Sequence, residues 1–278
     1  MTKYSRHAIR AGMTRMVNRV LRPDDRAHAE RLDRLEGELA ALRAEVAGQA
    51  QRVLDRVVEF EIRTRRDIVY AGDVEAARES ARFAQEHLVG ARHFGRPQET
   101  LEYGLSLAPS GGMALEFGVA SGNTLKLIAA QRADNQVYGF DSFEGLPEDW
   151  LAGVPAGAFA RDDLPEVPGA HLVVGLFADT LPDFLAAHRG RVDFLHVDSD
   201  LYSSARTVLE QVGPRLEPGS VIVFDEFYNY PGWQRHEYRA WLEYVERTGV
   251  SFTYEACTYE DRQVVVRVTG MTGQAEGR

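Results

Sequence analysis

Four short apolar runs in this chain each end in a carboxylate: Met113–Glu116, Gln136–Asp141, Val192–Asp198 and Ser220–Glu226. Carboxylates accept hydrogen bonds from hydroxyls, pair with cations and ligate hard metal ions. Runs of this length, separated by helix-like segments, read as buried parallel strands. In an open α/β sheet, ligands bind beyond the carboxyl ends of the strands. The four acids should therefore gather along one edge of one sheet. A row of acids there suits a ligand rich in hydroxyls, a positively charged ligand, or one held by a metal.

The elements that must position these acids can be read from periodicity. From residue 113 onward, strands are expected at 113–117, 136–141, 171–174, 192–197 and 220–225. Helices are expected at 122–132, 179–188, 203–213 and 235–247. Two late strands, about 250–257 and 263–269, flank Tyr259-Glu260-Asp261-Arg262 and suit an antiparallel hairpin. The pattern predicts a doubly wound α/β sheet with an antiparallel edge hairpin. Residues 73–107 read as helical and lead into the first strand. Residues 144–170 carry Gly145, Pro147, Gly153, Pro155, Pro165 and Pro168, which forbid long regular elements. A loop of that length reads as a lid, anchored by Trp150 and Phe159.

Ahead of this domain, expected over 73–278, lie two further segments. Residues 1–27 hold a basic amphipathic helix over 4–22, with Ile9, Met13, Met16, Val17, Val20 and Leu21 on one face and Pro23 as its stop. Residues 28–72 resemble a coiled coil. Leu32, Leu39, Val46, Val53 and Phe60 recur every seven residues, with Leu35 and Leu42 between them. Gln49 and Arg56 break the second series, and the seam drifts toward Leu54, Val57 and Val58. Homo-oligomerisation through these helices is the expectation; packing of the helix on its own domain is the alternative.

The net charge of −10 is uneven. Residues 1–26 hold seven basic residues against two acids, a net of +5, which leaves −15 for the remainder. An acidic body argues against nucleic acid as a partner. A basic helix at the front suits peripheral contact with anionic lipid through residues 4–22; packing within an oligomer is the competing use. The single cysteine, Cys257, excludes an intrachain disulfide and fits a reducing compartment. No apolar stretch reaches the roughly 18–20 residues that span a bilayer. The arginine-interrupted N-terminus does not read as a signal peptide. A cytoplasmic location follows as the expectation.

Two motifs carry the chemistry. In Glu116-Phe117-Gly118-Val119-Ala120-Ser121-Gly122-Asn123, Gly118 lets the backbone approach a ligand closely and Gly122 opens the following helix. Dinucleotide binders need a glycine where this chain has Ala120, so a phosphate-free ligand is favoured over pyrophosphate. Asp141 follows Glu116 by 25 residues, close to the spacing of an acid that grips ribose hydroxyls. Its alternative use is to cap the backbone that follows. His196 shares a strand face with Asp198 and reads as a core histidine before a catalytic one. The aromatics at Phe227, Tyr228, Tyr230 and Trp233 suit either the face of a sugar or a packed loop.

These stretches, with Gly139-Phe140-Asp141-Ser142-Phe143-Glu144-Gly145-Leu146-Pro147, Gly175–Pro182, His196–Tyr202 and Phe224–Phe227, resemble class I S-adenosylmethionine-dependent methyltransferases. The nearest type is the macrocin/mycinamicin/novobiocin-sugar O-methyltransferase family, over residues 112–268. The resemblance implies a Rossmann-like methyltransferase sheet. It implies methyl transfer from S-adenosylmethionine to a hydroxyl of a small molecule or glycan, a sugar hydroxyl foremost, assisted by Mg²⁺. By the resemblance, Glu116 lies near the amino-acid part of the cofactor, with Gly118, Ser121 and Gly122 in the same loop. Asp141 binds ribose with Ser142 and Phe143 beside it, and Phe177 and Asp179 lie near the adenine. The metal ligands map to Asp198, Asp225 and Glu226, and Asp198 doubles as the catalytic base. The chain departs from the family at Glu226, where a second aspartate is usual, and at Ala120-Ser121-Gly122-Asn123, where Trp-Arg-Gly-Gly is usual. Two rival classes are a nicotinamide-dependent oxidoreductase and a non-catalytic coiled-coil assembly protein with a vestigial cofactor fold.

Overall fold

The computed structural model describes residues 4–132 and 136–270. Two units divide at Ile68/Val69. The first is one helix, α1 (Tyr4–Arg66), about 95 Å long at 1.5 Å per residue. It runs through Pro23, where the sequence predicts a stop. A proline removes one interior backbone bond, and the helix continues past that loss. Of the amphipathic face expected in 4–22, Met13 and Met16 are exposed, while the side chains of Ile9, Val17, Val20 and Leu21 lie outside the described residues. The helix closes with Arg63, Arg65 and Arg66 in its last turn, the sign that suits the negative end of its dipole. Among the described residues, no helix is long and apolar enough to cross a membrane.

The second unit begins with α2 (Ile68–His87), β1 (Arg92–Phe94) and α3 (Pro97–Leu107). The continuous helix expected over 73–107 is thus two helices with a short strand between them. Pro97 starts α3 at a position where its missing N–H costs nothing. β1 is extended because it has a partner, Arg92–Phe94 pairing in parallel with residues 256–258.

There follow β2 (Met113–Phe117), α4 (Asn123–Gln131), β3 (Val137–Asp141), β4 (His171–Val174), α5 (Phe177–Ala187) and β5 (Val192–Val197). After these come α6 (Tyr202–Val212), β6 (Leu216–Phe224), α7 (Glu237–Thr248), β7 (Ser251–Thr258) and β8 (Val264–Gly270). One sheet holds all eight strands in the order β1-β7-β8-β6-β5-β2-β3-β4. Every pairing is parallel except those of β8, which is antiparallel to β6 and to β7.

Alternate strand residues feed two cores. Leu115, Phe117, Leu195, Val197, Ile222 and Phe224 face one layer, with Phe83 of α2, Leu181 of α5, Val208 of α6 and Trp241 of α7. Ala114, Phe194, Val221 and Val223 face the other, with Leu101 of α3 and Leu125 and Ile128 of α4. Burial on both faces explains why β2, β5 and most of β6 show no alternation of apolar and exposed polar residues; the polar members of β2 and β5, Glu116, Asp193 and His196, are themselves buried. The chain leaves β2 toward β3 and β4 on one side, then returns to β5 and β6 on the other. The order therefore reverses beside β2, and a ligand crevice opens at the carboxyl ends of β2 and β5.

Candidate active site

At that switch point the backbones of β2 and β5 nearly touch. Asp198 N donates to Phe117 O at 2.9 Å. Gly118 has φ +94°, and a Cβ there would stand 1.7 Å from Asp198 O. The close approach that makes glycine necessary is thus to the neighbouring strand end, and Gly118 also lines the cleft above it. Asp141, at the end of β3, ties the same turn down. Its Oδ2 accepts Val119 N and Ala120 N, and its Oδ1 accepts Phe143 N, each at 2.8 Å. A carboxylate has about four lone-pair directions, so Asp141 keeps acceptor capacity toward the cleft that it lines.

The cleft has a volume of about 470 Å³. Gly118, Ala120, Asp141 and Ser142 form one wall, and Leu176 and Phe177, at the start of α5, form an apolar one. Phe177 stands edge-on to Phe117, centroids 5.1 Å apart. Asp198, Ser199, Asp200 and Glu226 line the cleft beyond the ends of β5 and β6, and Ser203, Ser204 and Thr207 line it from α6. Of the residues singled out from sequence, the fold brings Gly118, Asp141, Ser142, Phe177, Asp198 and Glu226 together. Ser121, Gly122 and Phe143 sit in the adjoining turns. Gly122 abuts Pro165 and Val167, and Phe143 is buried. Asp179 is exposed on α5, and Glu116 and Asp225 lie outside the lining.

Glu116 is fully buried beneath the floor. It is the register partner of His196 across β2 and β5, so their side chains lie side by side, and His196 Nδ1 meets Glu116 Oε1 at 2.9 Å. The other ring nitrogen lies 3.6 Å from Asp225 Oδ1. Burial opposes charge on this imidazole, but Asp225 and Glu116 outweigh it and hold its pKa well above the ordinary value. Burial also opposes charge on Asp225, and His196 outweighs it there, leaving that carboxyl below its usual value. Glu116 itself is pushed up by burial, against the pull of His196.

Around this pair the acids crowd. Burial, then Asp225, holds Asp198 well above the carboxylate range. The same two causes push Asp200 to about 7. Glu226 is held high by burial, Asp225 and Asp198. Asp200 adopts φ +59°, a left-handed conformation that aspartate tolerates better than most residues. Arg262 is the cation lining the cleft among the described residues, 4.0 Å from Glu226 Oε1.

Carboxylates gathered this closely must share protons or hold a cation, and the donors fit a cation. Ligand atoms of Asp198, Asp200 and Glu226 lie within 4.8 Å of one another, as do those of His196, Asp198 and Asp225. Glu226 Oε2 is buried with no hydrogen-bond donor from the protein, which leaves it open to a cation. Asp198 belongs to both sets. Asp225 and Glu226 divide between them because successive residues at a strand end point opposite ways.

Sequence reasoning missed several participants. Asp200 had a signal: it stands two residues from Asp198. Glu237 of α7 had none. It is fully buried, and its two oxygens accept Ser199 N at 3.3 Å and Glu226 N at 3.0 Å, tying the ends of β5 and β6 together. Arg262 also had no local signal; it comes from the β7–β8 turn to lie 5.0 Å from the Tyr230 ring centroid and 5.7 Å from that of Trp150.

Two other expectations change. Phe227, Tyr228, Tyr230 and Trp233 are all buried, with Phe83 of α2 against Phe227, Tyr228 and Trp233. They are a packed loop and not a sugar platform. In the loop 144–170, Trp150 packs edge-on to Tyr230 at 5.7 Å, but Phe159 is 58% exposed. The loop is ordered instead by its own backbone bonds, such as Leu146 N to Ala158 O and Gly157 N to Leu146 O. A bond from Ser203 Oγ to Glu148 Oε1 fastens it to α6.

A mixed sheet whose order reverses beside β2, with a glycine turn and an acid at the reversal and an antiparallel β8 toward the other edge, has the Rossmann-like methyltransferase architecture expected from sequence. Residues 115–227 match a family model described as a methyltransferase domain. A curated relative is the 8-demethyl-8-(2,3-dimethoxy-alpha-L-rhamnosyl)-tetracenomycin-C 4'-O-methyltransferase of Streptomyces olivaceus. It is 29% identical over 168 residues, 50% of this chain and 62% of the relative. The chain thus matches less than two thirds of that relative's length. Among solved structures, the calicheamicin methyltransferase CalS11 aligns with a TM-score of 0.48 at 23% identity, over 61% of this chain and 76% of that one. The O-methyltransferase NovP aligns with a TM-score of 0.44 at 23% identity, over 62% and 78%.

Proposed function

We propose that this protein moves a methyl group from S-adenosylmethionine to a hydroxyl of a small molecule or glycan, a sugar hydroxyl foremost, with Mg²⁺ at the acceptor. The observation that carries the reading is the position of Asp198. It abuts the Gly118 turn on one side and belongs to the carboxylate cluster on the other. Cofactor and acceptor would meet there.

The cofactor supplies an already activated methyl group, and a bound cation supplies fixed positive charge beside the hydroxyl. The chain's own residues do the rest. Asp141 and Ser142 take the ribose hydroxyls, while Leu176 and Phe177 give the adenine an apolar wall. Gly118 and Ala120 keep the floor of the turn free of bulk. Asp198 and Glu226, with Asp200, form the oxygen set that suits Mg²⁺; Asp225 reaches Asp198 from the His196 side. Asp198 accepts the proton of the acceptor hydroxyl. The loop 144–170 covers the site, and Trp150 with Arg262 faces the acceptor. Holding the hydroxyl in line with the methyl group supplies much of the rate.

The test is calorimetry with the full chain. S-adenosylmethionine should bind, and transfer to a sugar-bearing acceptor should fall on chelation and with Asp198→Asn. No binding would end the reading; turnover surviving both treatments would remove the metal and the base. Residues 28–72 self-associate, supported by an exposed apolar row along α1. The basic segment 4–22 contacts anionic lipid, supported by its charge. Equal liposome flotation with and without residues 1–26 would end the lipid reading.

A further inference from the structure

We propose that α1 pairs with α1 of a second copy of this chain, parallel and in register, along an apolar seam that changes phase once, at Val46. This rests on the reading that the N-terminal segment self-associates, and adds the partner's orientation and register. Leu32, Leu35, Leu39, Leu42, Val46, Val53, Val57 and Phe60 are all between 47% and 62% exposed. A strict heptad fails after Val46, since it would put Gln49 and Arg56 on the seam. Two successive steps of four residues, Leu42 to Val46 to Ala50, move both aside. The row then continues through Val53, Val57 and Phe60 at the usual steps of three and four. Such an insertion locally unwinds a coiled coil without breaking it.

Charge selects the orientation. Arg31 and Glu38 flank the first two heptads on one side, and Glu36 and Arg43 on the other. A narrow seam between charged flanks suits two strands. In a parallel, in-register pair, Arg31 meets the partner's Glu36 and Glu38 meets the partner's Arg43. Both contacts occur twice, and all four are attractive. The antiparallel pairing that matches the four leucines sets Leu32 against Leu42. It would place Glu36 against Glu36 and Glu38 against Glu38, with only the two Arg31–Glu45 contacts attractive, so the charges offset one another instead of all favouring the pair. The parallel form brings two N-terminal segments of +5 to one end. That repulsion lies beyond the seam and is screened over about 8 Å at physiological salt.

The experiment uses the full chain. Light scattering after size exclusion should give twice the chain mass. Under mild oxidation, Leu32→Cys should form an interchain disulfide, while the parent, whose one cysteine is buried, should not. The double variant Arg31→Glu/Glu38→Arg should self-associate on the order of 100-fold more weakly, as should Glu36→Arg/Arg43→Glu. Mixing these two double variants should restore the dimer, because each then presents the charges the other lacks. A monomeric parent would overturn self-association and this proposal together. A dimer that fails to cross-link at Leu32→Cys, or variants that fail to rescue each other, would overturn the parallel register alone. A mass above twice the chain would overturn the two-strand seam.

Discussion

Gly118→Ala should separate the structure's account of the site from a looser one. The substitution adds one carbon at φ +94°, 1.7 Å from Asp198 O and 2.8 Å from its carbonyl carbon. The obstacle is backbone, held by the bond from Asp198 N to Phe117 O, so no side chain can swing aside. Clearing even a 3.0 Å contact moves the end of β5 by more than 1 Å. Backbone strain and overpacking together cost roughly 2–5 kcal/mol, or about 5–20 °C in melting temperature for a unit of this size. A shift of about 1 Å in a reacting group costs on the order of 100-fold in rate. The control is Gly153→Ala in the loop, at φ +89° with nothing within 4 Å of the added carbon. It carries the strain without the collision and should lose about 1–2 kcal/mol with turnover nearly intact. The assays are thermal melting and release of S-adenosylhomocysteine. If Gly118→Ala melted and turned over like Gly153→Ala, the link between the turn and Asp198 would be wrong.

Three further outcomes follow from the same geometry. Asp198→Asn keeps the shape but loses the base, and should lower kcat by roughly 10²–10⁴; a loss below tenfold would move that role elsewhere. Glu237→Gln puts an amide N–H₂ against one of two backbone donors, leaving a buried N–H unpaired at about 1–3 kcal/mol. It should raise the Mg²⁺ concentration needed for half-maximal rate, and unchanged Mg²⁺ dependence would show that Glu237 does not position the cluster. The metal-free protein should melt lower at pH 8 than at pH 5.5. Asp200 keeps its proton up to about pH 7 when folded but loses it near 3.8 when unfolded. The folded state therefore binds more protons between those values, and stability falls as pH rises through them. His196, held above its ordinary value, acts in the same direction at higher pH. Asp225, held below its own, acts oppositely but only below pH 3.8. On the proposed metal reading, Mg²⁺ would take the protons' place, and its stabilising effect should be larger at pH 8. A melting temperature that is flat or rising in chelator across this range would contradict the clustered carboxyls.

The sequence by itself located the strands β2 to β8: the central ones from short, largely apolar runs buried on both faces, and β7 and β8 from their apolar residues on either side of a turn. It also placed the glycine turn and the acids Asp141, Asp198 and Glu226 at or just beyond strand ends, because strand ends fall where those runs stop. It could not determine β1, three residues long and extended through its pairing with β7. Only the tertiary structure decided which acids touch ligand space. Glu116 stands in the glycine-turn motif, and the register of β2 against β5 sets it beside His196, outside the cleft lining. Glu237 joins the site from α7 and Arg262 from the β7–β8 turn. Local spacing says which face of a strand a side chain occupies; what covers that face depends on contacts between distant segments.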